Sequence, residues 1–272
     1  MSRTRTNKRK QSNNERMKAL AMLVVCVGFV GTVLYNYFLA TQNEIALDKT
    51  TLCRLDGDFP RETVILLDAT ESLSEAHTEA VLNRIESEIE NSYLYERFSI
   101  YSLQDDPTRF QPQFVLCNPG DGKDKSYLTA APKKIFEQWR LKFRDPILNE
   151  IKSLELQKSS ESSPVMEMLK FVGLRTMARS DSSKKRIILV SDMVENTDKY
   201  SQYTNSNMDF NALKDTSYFR EVRPRLNEVH VELLYIERGN LSGIQGKDHI
   251  QKFWKPFIEQ SKGLLSSVTN IN

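Results

Sequence analysis

The sequence predicts an α/β fold with a doubly wound, mostly parallel sheet, one antiparallel edge strand and a preceding transmembrane helix. Two short apolar runs, residues 64–67 and 187–190, lead into Asp68 and Asp192. Apolar runs without alternation are typical of strands buried on both faces of a parallel sheet. Helical patterns lie between these runs, which is the order of an α/β domain. Residues 19–40 contain no charge.

The first forty residues differ from the rest of the chain. Residues 1–18 carry seven basic residues and one acidic residue. The uncharged stretch 19–40 is long enough to span a hydrocarbon core of about 30 Å. A basic flank stays in the cytoplasm under the positive-inside rule. We therefore expect a cytoplasmic tail (1–18), a transmembrane helix (19–40), a tether (41–60) and an exported domain (61–272), in a bacterial inner membrane with the domain in the periplasm.

A cleaved signal peptide is the alternative for the same stretch. Its apolar region is usually shorter, and small residues precede the cleavage site. Here Phe38 stands two positions before Ala40, where a small residue is needed. The pattern favours an uncleaved anchor.

The charge and the cysteines of the exported region restrict its partners and its compartment. Without the seven cations and one carboxylate of the tail, the chain's 38 basic and 36 acidic residues leave a net charge of −4. This mildly acidic region has no basic surface of the kind that binds nucleic acid. Cys53 and Cys117 lie in it, and an oxidising compartment favours a disulfide between them over two buried free thiols.

The exported region alternates strand and helix patterns. Amphipathic spacing predicts a helix over 74–89 and a long one over 133–157, which Pro146 kinks or splits. Proline at the first helical position predicts a helix that opens at Ser163-Pro164. The short link between the second and third strands is typical of a hairpin. The expected strands are 63–67, 98–103, 114–117, 185–192 and 228–236, and the closing helix is 248–260.

Asp68, Thr70 and Ser72 follow the first strand at every second position. Ligands bind at the carboxyl edge of open α/β sheets. Carboxylate and hydroxyl oxygens are hard ligands, which Mg²⁺ and Mn²⁺ prefer. The alternative is structural: Ser72 or Ser74 caps the next helix, and Asp68 accepts hydrogen bonds from turn amides.

These residues resemble a von Willebrand factor A domain, whose metal-ion-dependent adhesion site lies on the carboxyl edge of the sheet. An Asp-x-Ser-x-Ser turn, a threonine before a central helix and a later aspartate form that site. The resemblance implies that Mg²⁺ or Mn²⁺ is bound and that a partner's carboxylate completes its coordination. The matching positions are Asp68, Thr70, Ser72, Ser163 (with Ser162 as the alternate) and Asp192.

The chain departs from the family pattern at three positions. Thr70 stands for serine, Ser163 for threonine, and Met193 for the glycine that often follows the second aspartate. The first two changes keep a hydroxyl, whereas the third removes backbone freedom. Together they resemble a degenerate branch in which the fold persists without the metal. Nearby carboxylates of Asp68 and Asp192 repel unless a cation or proton intervenes.

The resemblance also bears on the cysteines and on one loop. It places Cys53 and Cys117 at the same amino edge of the sheet, where a bridge would tie the tether to the base of the domain. The loop after Asp192 rises from the carboxyl edge and offers a partner-contact surface, because aromatic residues suit interfaces. A polar surface loop without a partner is the alternative. The contact residues are Tyr200, Tyr203, Asn205, Asn207 and Phe210.

The sequence does not favour an enzyme. A phosphotransferase of the haloacid dehalogenase type needs aspartate where Thr70 stands, and the sequence holds no glycine-rich phosphate loop, Gly-x-Ser-x-Gly elbow or His-Glu-x-x-His motif. The expected function is protein–protein interaction, with or without a divalent metal. A metal-free scaffold subunit of a membrane assembly is the alternative, and an anchored α/β hydrolase is less favoured.

Overall fold

The computed structural model describes residues 3–42, 45–70, 72–102, 111–125, 131–155, 162–204 and 208–272. The chain forms two units, Met1–Ala46 and Leu47–Asn272. The first unit is helix α1 (Arg3–Gln42). Within it, Glu15–Phe38 is long and apolar enough to cross a bilayer, a property that a signal sequence near an N-terminus shares. The side chains of Glu15–Phe38 are exposed.

The second unit is built on a six-stranded sheet with the order β3-β2-β1-β4-β5-β6. Every neighbouring pair is parallel except β2 and β3, which are antiparallel. The predicted fold class, a mostly parallel sheet with one antiparallel edge, is therefore confirmed. The strands are β1 (Glu62–Leu67), β2 (Arg97–Ser102), β3 (Phe114–Cys117), β4 (Lys185–Ser191), β5 (Val229–Ile236) and β6 (Leu264–Ile271).

The strand β6 is not among the strands that the sequence predicts. This strand pairs in parallel with β5, and most of its side chains are partly or fully exposed. Serine, threonine and asparagine interrupt its apolar residues, so it has no continuous apolar run. An edge strand needs less burial than a central one, and its pattern is correspondingly weak.

The central strands are apolar on both faces because helices cover both faces. Val64 and Leu66 of β1 pack on one side of the sheet, and Ile65 and Leu67 pack on the other. Each fully buried aliphatic side chain contributes about 2 kcal/mol. The helices are α2 (Glu75–Glu90), α3 (Pro132–Trp139), α4 (Asp145–Glu155), α5 (Val165–Val172), α6 (Phe210–Leu213), α7 (Ser217–Val222) and α8 (Lys255–Gln260).

Two prolines are accommodated by widened helical turns. A π-helical segment, Arg140–Arg144, joins α3 to α4 directly ahead of Pro146. A second one, His249–Trp254, joins α8 directly ahead of Pro256. Proline lacks the amide hydrogen and crowds the preceding turn, and a π-bulge is one way to absorb that defect. The helix around Pro146 therefore continues past the proline.

Cys53 and Cys117 are joined by a disulfide. Cys117 ends β3, and its amide donates to the Thr51 carbonyl at 2.8 Å. Because β3 runs antiparallel to β2, its end lies at the amino edge of the parallel strands. The disulfide fixes the segment before β1 to this edge.

Candidate functional site

The Asp68 carboxylate lies at the carboxyl end of β1 and collects three hydroxyl groups. Thr70 donates to Oδ1 from its hydroxyl at 2.5 Å and from its amide at 3.1 Å. Ser191, at the end of β4, donates to Oδ2 at 2.7 Å. Ser163 donates to Oδ2 at 3.3 Å. Both oxygens of this half-buried carboxylate are therefore hydrogen-bonded.

Ser163 is brought to Asp68 by a short bridge between two loops. Its amide donates to the Asn196 carbonyl at 2.8 Å, and the Asn196 amide donates back at 3.0 Å. This pair fastens the start of α5 to the loop that follows β4. Residues 95 positions apart in the chain thereby meet. The structure thus brings together Asp68, Thr70 and Ser163 of the predicted site.

Asp192 is bound by a cation of the chain itself. Its Oδ1 accepts from the Val194 amide at 2.9 Å. Its Oδ2 lies 3.0 Å from Nε of Arg238, and the two side chains are 8% and 15% exposed. Arg238 also donates from Nη1 to the Ser72 carbonyl at 3.2 Å. One guanidinium therefore links the ends of β4 and β5 with the loop after β1.

The arrangement bears directly on the predicted ion. The three hydroxyls around Asp68 donate their hydrogens to that carboxylate but keep oxygen lone pairs that a metal could share. Asp192 directs Oδ2 at Arg238, and Ser72 takes part through its backbone carbonyl. In the described part of the chain, no group of three or more His, Cys, Asp or Glu residues is placed to hold a metal ion. In this conformation the cation beside Asp192 is Arg238.

Gln245 holds Arg238 in place. Its Nε2 donates to the carbonyls of Asp192 at 3.0 Å and Ile236 at 2.7 Å. Its Oε1 accepts from the Arg238 amide at 2.7 Å. The half-buried amide side chain of Gln245 therefore holds the ends of β4 and β5 together and orients the backbone of Arg238.

Met193 adopts the left-handed backbone conformation, with φ of 62°. Its side chain is fully buried, and its amide donates to the Ser191 hydroxyl at 2.7 Å. The family pattern often has glycine at this position because glycine adopts that conformation freely. The chain keeps the turn with methionine, at a backbone cost of about 1 kcal/mol.

A buried carboxylate, Glu195, lies beneath the site. It accepts from the Met166 amide in the first turn of α5 at 2.9 Å and from the Tyr218 hydroxyl at 3.0 Å. Burial raises the pKa of Glu195 to about 8, and these hydrogen bonds oppose the shift. The charge of Asp68 adds a smaller upward contribution to this pKa. Glu195 ties the loop after Asp192 to α5, the helix that follows Ser163.

Next to Glu195 lies a buried histidine. The indole of Trp254 donates to Nε2 of His249 at 3.0 Å, so we assign the ring proton to Nδ1, which lies 2.9 Å from the Tyr235 hydroxyl. Burial lowers the pKa of His249 to about 4. The imidazole is therefore neutral near pH 7, and it packs against Tyr235, Phe253 and Trp254.

The predicted partner-contact residues lie in different environments. Tyr200 is half-buried and stacks against Tyr218 and Phe253, with ring centroids 5.8 and 6.2 Å away. Phe210 is 4% exposed, so its ring belongs to the core and is not available to a partner. Tyr203 is 48% exposed. Asn205 and Asn207 lie outside the described residues.

Sequence reasoning missed four residues of this edge: Ser191, Arg238, Gln245 and Glu195. Ser191 precedes Asp192 on a strand, and its position alone suggests that it lies near Asp68 on the neighbouring strand. Arg238 follows β5 by two residues, so a parallel register would have placed it at the same edge. Nothing in the sequence pattern indicates which polar group it binds.

The fold and this edge define an α/β domain with a hydrogen-bonded polar network at the carboxyl end of a parallel sheet, in a chain that also has an N-terminal apolar helix. No protein-family model matches the chain, and a search of curated proteins found no match.

Proposed function

We propose that the protein is a single-pass, membrane-anchored binding module whose exported domain is von Willebrand A-like and recognises a protein partner without a metal ion. The observation that carries the proposal is the contact between Arg238 and Asp192. It supplies a positive charge beside the second aspartate, where the family resemblance would put a divalent ion. The sheet order, with its antiparallel β3, and the meeting of Asp68 with Thr70 and Ser163 support the resemblance.

Binding fits this edge better than catalysis. A general base needs a lone pair directed at its substrate. Both oxygens of Asp68 accept hydrogen bonds from neighbouring residues, and Asp192 is shared between the Val194 amide and Arg238. Closed networks of this kind hold loops rigidly, which suits a preorganised contact surface.

The proposed contact surface is the exposed rim of the carboxyl edge. Ser72, Tyr203 and Asn240 are exposed there, on the loops that follow β1, β4 and β5. Tyr203 is the large aromatic among these three, and tyrosine commonly anchors protein interfaces. Arg238 and Asp192 lie below this rim and keep its loops together.

The proposed topology places the basic tail in the cytoplasm and the domain in the periplasm. The apolar stretch of α1 and the basic residues ahead of it support this orientation. The Cys53–Cys117 disulfide supports an oxidising compartment for the domain.

Site-specific photo-cross-linking in native membranes tests the proposal. A photoreactive amino acid replaces Tyr203 in the full-length protein, and in a matched control it replaces Tyr93, which is 43% exposed and lies just ahead of β2. We expect one discrete protein adduct from position 203, none from position 93, and no change when EDTA is added. Loss of the adduct with EDTA would favour the metal-dependent alternative, which the three hydroxyls around Asp68 support. Absence of any adduct from position 203 would contradict partner binding at this edge.

A further inference from the structure

A groove of about 570 Å³ lies at the amino edge of β5 and β6, beside α5 and α7. Five basic side chains and one carboxylate line it, which gives a local net charge of +4, whereas the whole region after the basic tail carries −4. The charged residues are Lys170, Arg220, Arg223, Arg225, Lys262 and Glu221. We call this the basic groove.

The cations of the basic groove outnumber its one carboxylate, Glu221, whose pKa is lowered mainly by its hydrogen bond with Lys199 and also by the charge of Lys170. Within the described part of the chain, none of the five makes an ion pair, and Glu221 pairs with Lys199 instead. Arg220 donates to the Asp215 carbonyl at 3.3 Å, and Arg223 donates to the Gln260 carbonyl at 2.5 Å. Since like charges gathered in one groove repel, a bound anion would stabilise the arrangement.

The backbone holds the groove in shape. The Leu226 amide donates to the Ser261 carbonyl, and the Glu228 amide donates to the Lys262 carbonyl, both at 3.1 Å. Gly173 lies so close to Arg225 that an added Cβ would come within 2.9 Å of the Arg225 carbonyl oxygen. The backbone segments that contain Arg225 and Lys262 are therefore fixed to each other and to the end of α5.

We propose that the basic groove binds a phosphate group. Three of its five cations are arginines, whose planar guanidinium matches phosphate oxygens with paired hydrogen bonds. Five cations exceed what a single carboxylate can neutralise, and a phosphate adds one negative charge as a diester or up to two as a monoester. The exposed side chains of Arg220, Arg225 and Lys262 leave the groove accessible from solvent. The phosphate belongs either to a soluble molecule or to a phospholipid headgroup.

This proposal is independent of the proposed partner site, because the basic groove lies at the opposite edge of the sheet. The two therefore fail separately: cross-linking from position 203 does not involve the groove, and phosphate binding does not involve Arg238 or Asp192.

The first arm of the test uses inorganic phosphate. Full-length protein in a non-ionic detergent is titrated with sodium phosphate by calorimetry, while sodium chloride keeps the ionic strength constant. The test variant is Arg220→Glu with Arg225→Glu. The matched control is Lys133→Glu with Lys152→Glu, two exposed positions at helix surfaces that change the net charge equally. We expect saturable binding that weakens about tenfold or more in the test variant, since hydrogen bonds to charged groups are lost, and is unchanged in the control.

The second arm identifies a lipid source. The same proteins are placed in nanodiscs of phosphatidylcholine alone or of phosphatidylcholine mixed with phosphatidylglycerol, and hydrogen exchange is followed over residues 217–227. Protection that needs phosphatidylglycerol and disappears in the test variant, without phosphate binding in the first arm, supports a lipid headgroup. Binding in the first arm alone supports a soluble phosphate.

Two results overturn the proposal. One is the absence of any effect of the probe in both arms with wild-type protein. The other is an equal loss of binding in the test variant and in the Lys133 and Lys152 control, because that would reflect net charge alone. Circular dichroism melting of both variants confirms that they fold.

Discussion

Arg238 donates from Nε to the Asp192 carboxylate at 3.0 Å, across 46 residues of chain and between the ends of two neighbouring strands. Both side chains are largely withdrawn from solvent. Removing one partner of such a pair leaves a charge that is costly to bury, while removing both costs much less. In this contact the positive charge of Arg238 balances the negative charge of Asp192 at the carboxyl edge of the sheet.

The Cys53–Cys117 disulfide should stabilise the domain substantially. It closes a loop with a sequence separation of 64 residues, for which the loss of unfolded-state entropy corresponds to about 4 kcal/mol. We expect the Cys53→Ser, Cys117→Ser double variant to lose about this much free energy of unfolding in urea titrations. Cys26→Ser, an exposed position in α1, is the control and should not change it. An unchanged midpoint in the double variant would contradict the stabilising role.

At position 193, replacement by glycine should leave the protein more stable than replacement by alanine. Both changes lose the buried methionine, but glycine also relieves the left-handed backbone at φ of 62°. We expect the free energy of unfolding of Met193→Gly to be about 1 kcal/mol higher than that of Met193→Ala. Met168, which is buried within α5, is the control, and there glycine should be worse than alanine by about 1 kcal/mol. The same order at both positions would show that Met193 carries no backbone strain.

Glu195 should make stability fall as pH rises. Its pKa is about 8 in the folded protein, above the ordinary 4.5, so the unfolded chain releases its proton first. The stabilisation that protonated Glu195 gives the folded protein is therefore complete below pH 4.5. It is lost as pH rises from 4.5 to 8. We expect Glu195→Gln, which can keep the contacts with Met166 and Tyr218, to be more stable than wild type at pH 8.5.

The comparison needs chemical denaturation at pH 5 and pH 8.5. Glu259→Gln, at an exposed position in α8, controls for the loss of one carboxylate and should not change the pH slope. If Glu195→Gln is destabilised equally at both pH values, the carboxylate is ionised when folded and its pKa is not raised.

His249 should make stability rise with pH in a lower window. Its pKa is about 4 in the folded protein, below the ordinary 6.5, so the unfolded chain takes up a proton first as pH falls. The stabilisation linked to neutral His249 is complete above pH 6.5. It is lost as pH falls from 6.5 to about 4, which lowers the free energy of unfolding by about 3 kcal/mol in total. We expect His249→Gln to flatten this slope in denaturation curves between pH 4 and 7. His230→Gln, on an exposed position of β5, should leave the slope intact.

The central part of the fold could be predicted because its physical cause is local. The apolar runs that end at Asp68 and Asp192 are buried by helices on both faces, and that burial leaves an unbroken pattern in the sequence. The edge strand β6 (Leu264–Ile271) has neither a continuous apolar run nor a regular alternation of polar and apolar residues, so no strand pattern marks it.

The candidate site was only partly predictable for a different reason. Asp68, Thr70 and Ser163 belong to a recognisable spacing, and the structure brings them together. Arg238 contacts Asp192 only because β5 lies next to β4, a relationship that no local pattern encodes. The loop's place after Asp192 predicts Phe210 as a partner contact, yet its ring packs edge-on against Phe219 at 5.1 Å and is buried.

The most direct test of the central claim is thermal unfolding of the full-length protein with Mg²⁺ or Mn²⁺ titrated in, in a non-ionic detergent. If Arg238 provides the cation beside Asp192, wild-type protein shows no shift of its melting temperature at matched ionic strength. The Arg238→Met variant should melt at a lower temperature, because Asp192 loses its counter-ion. A saturable rise with either ion in wild-type protein, abolished by Asp68→Ala, would contradict the account.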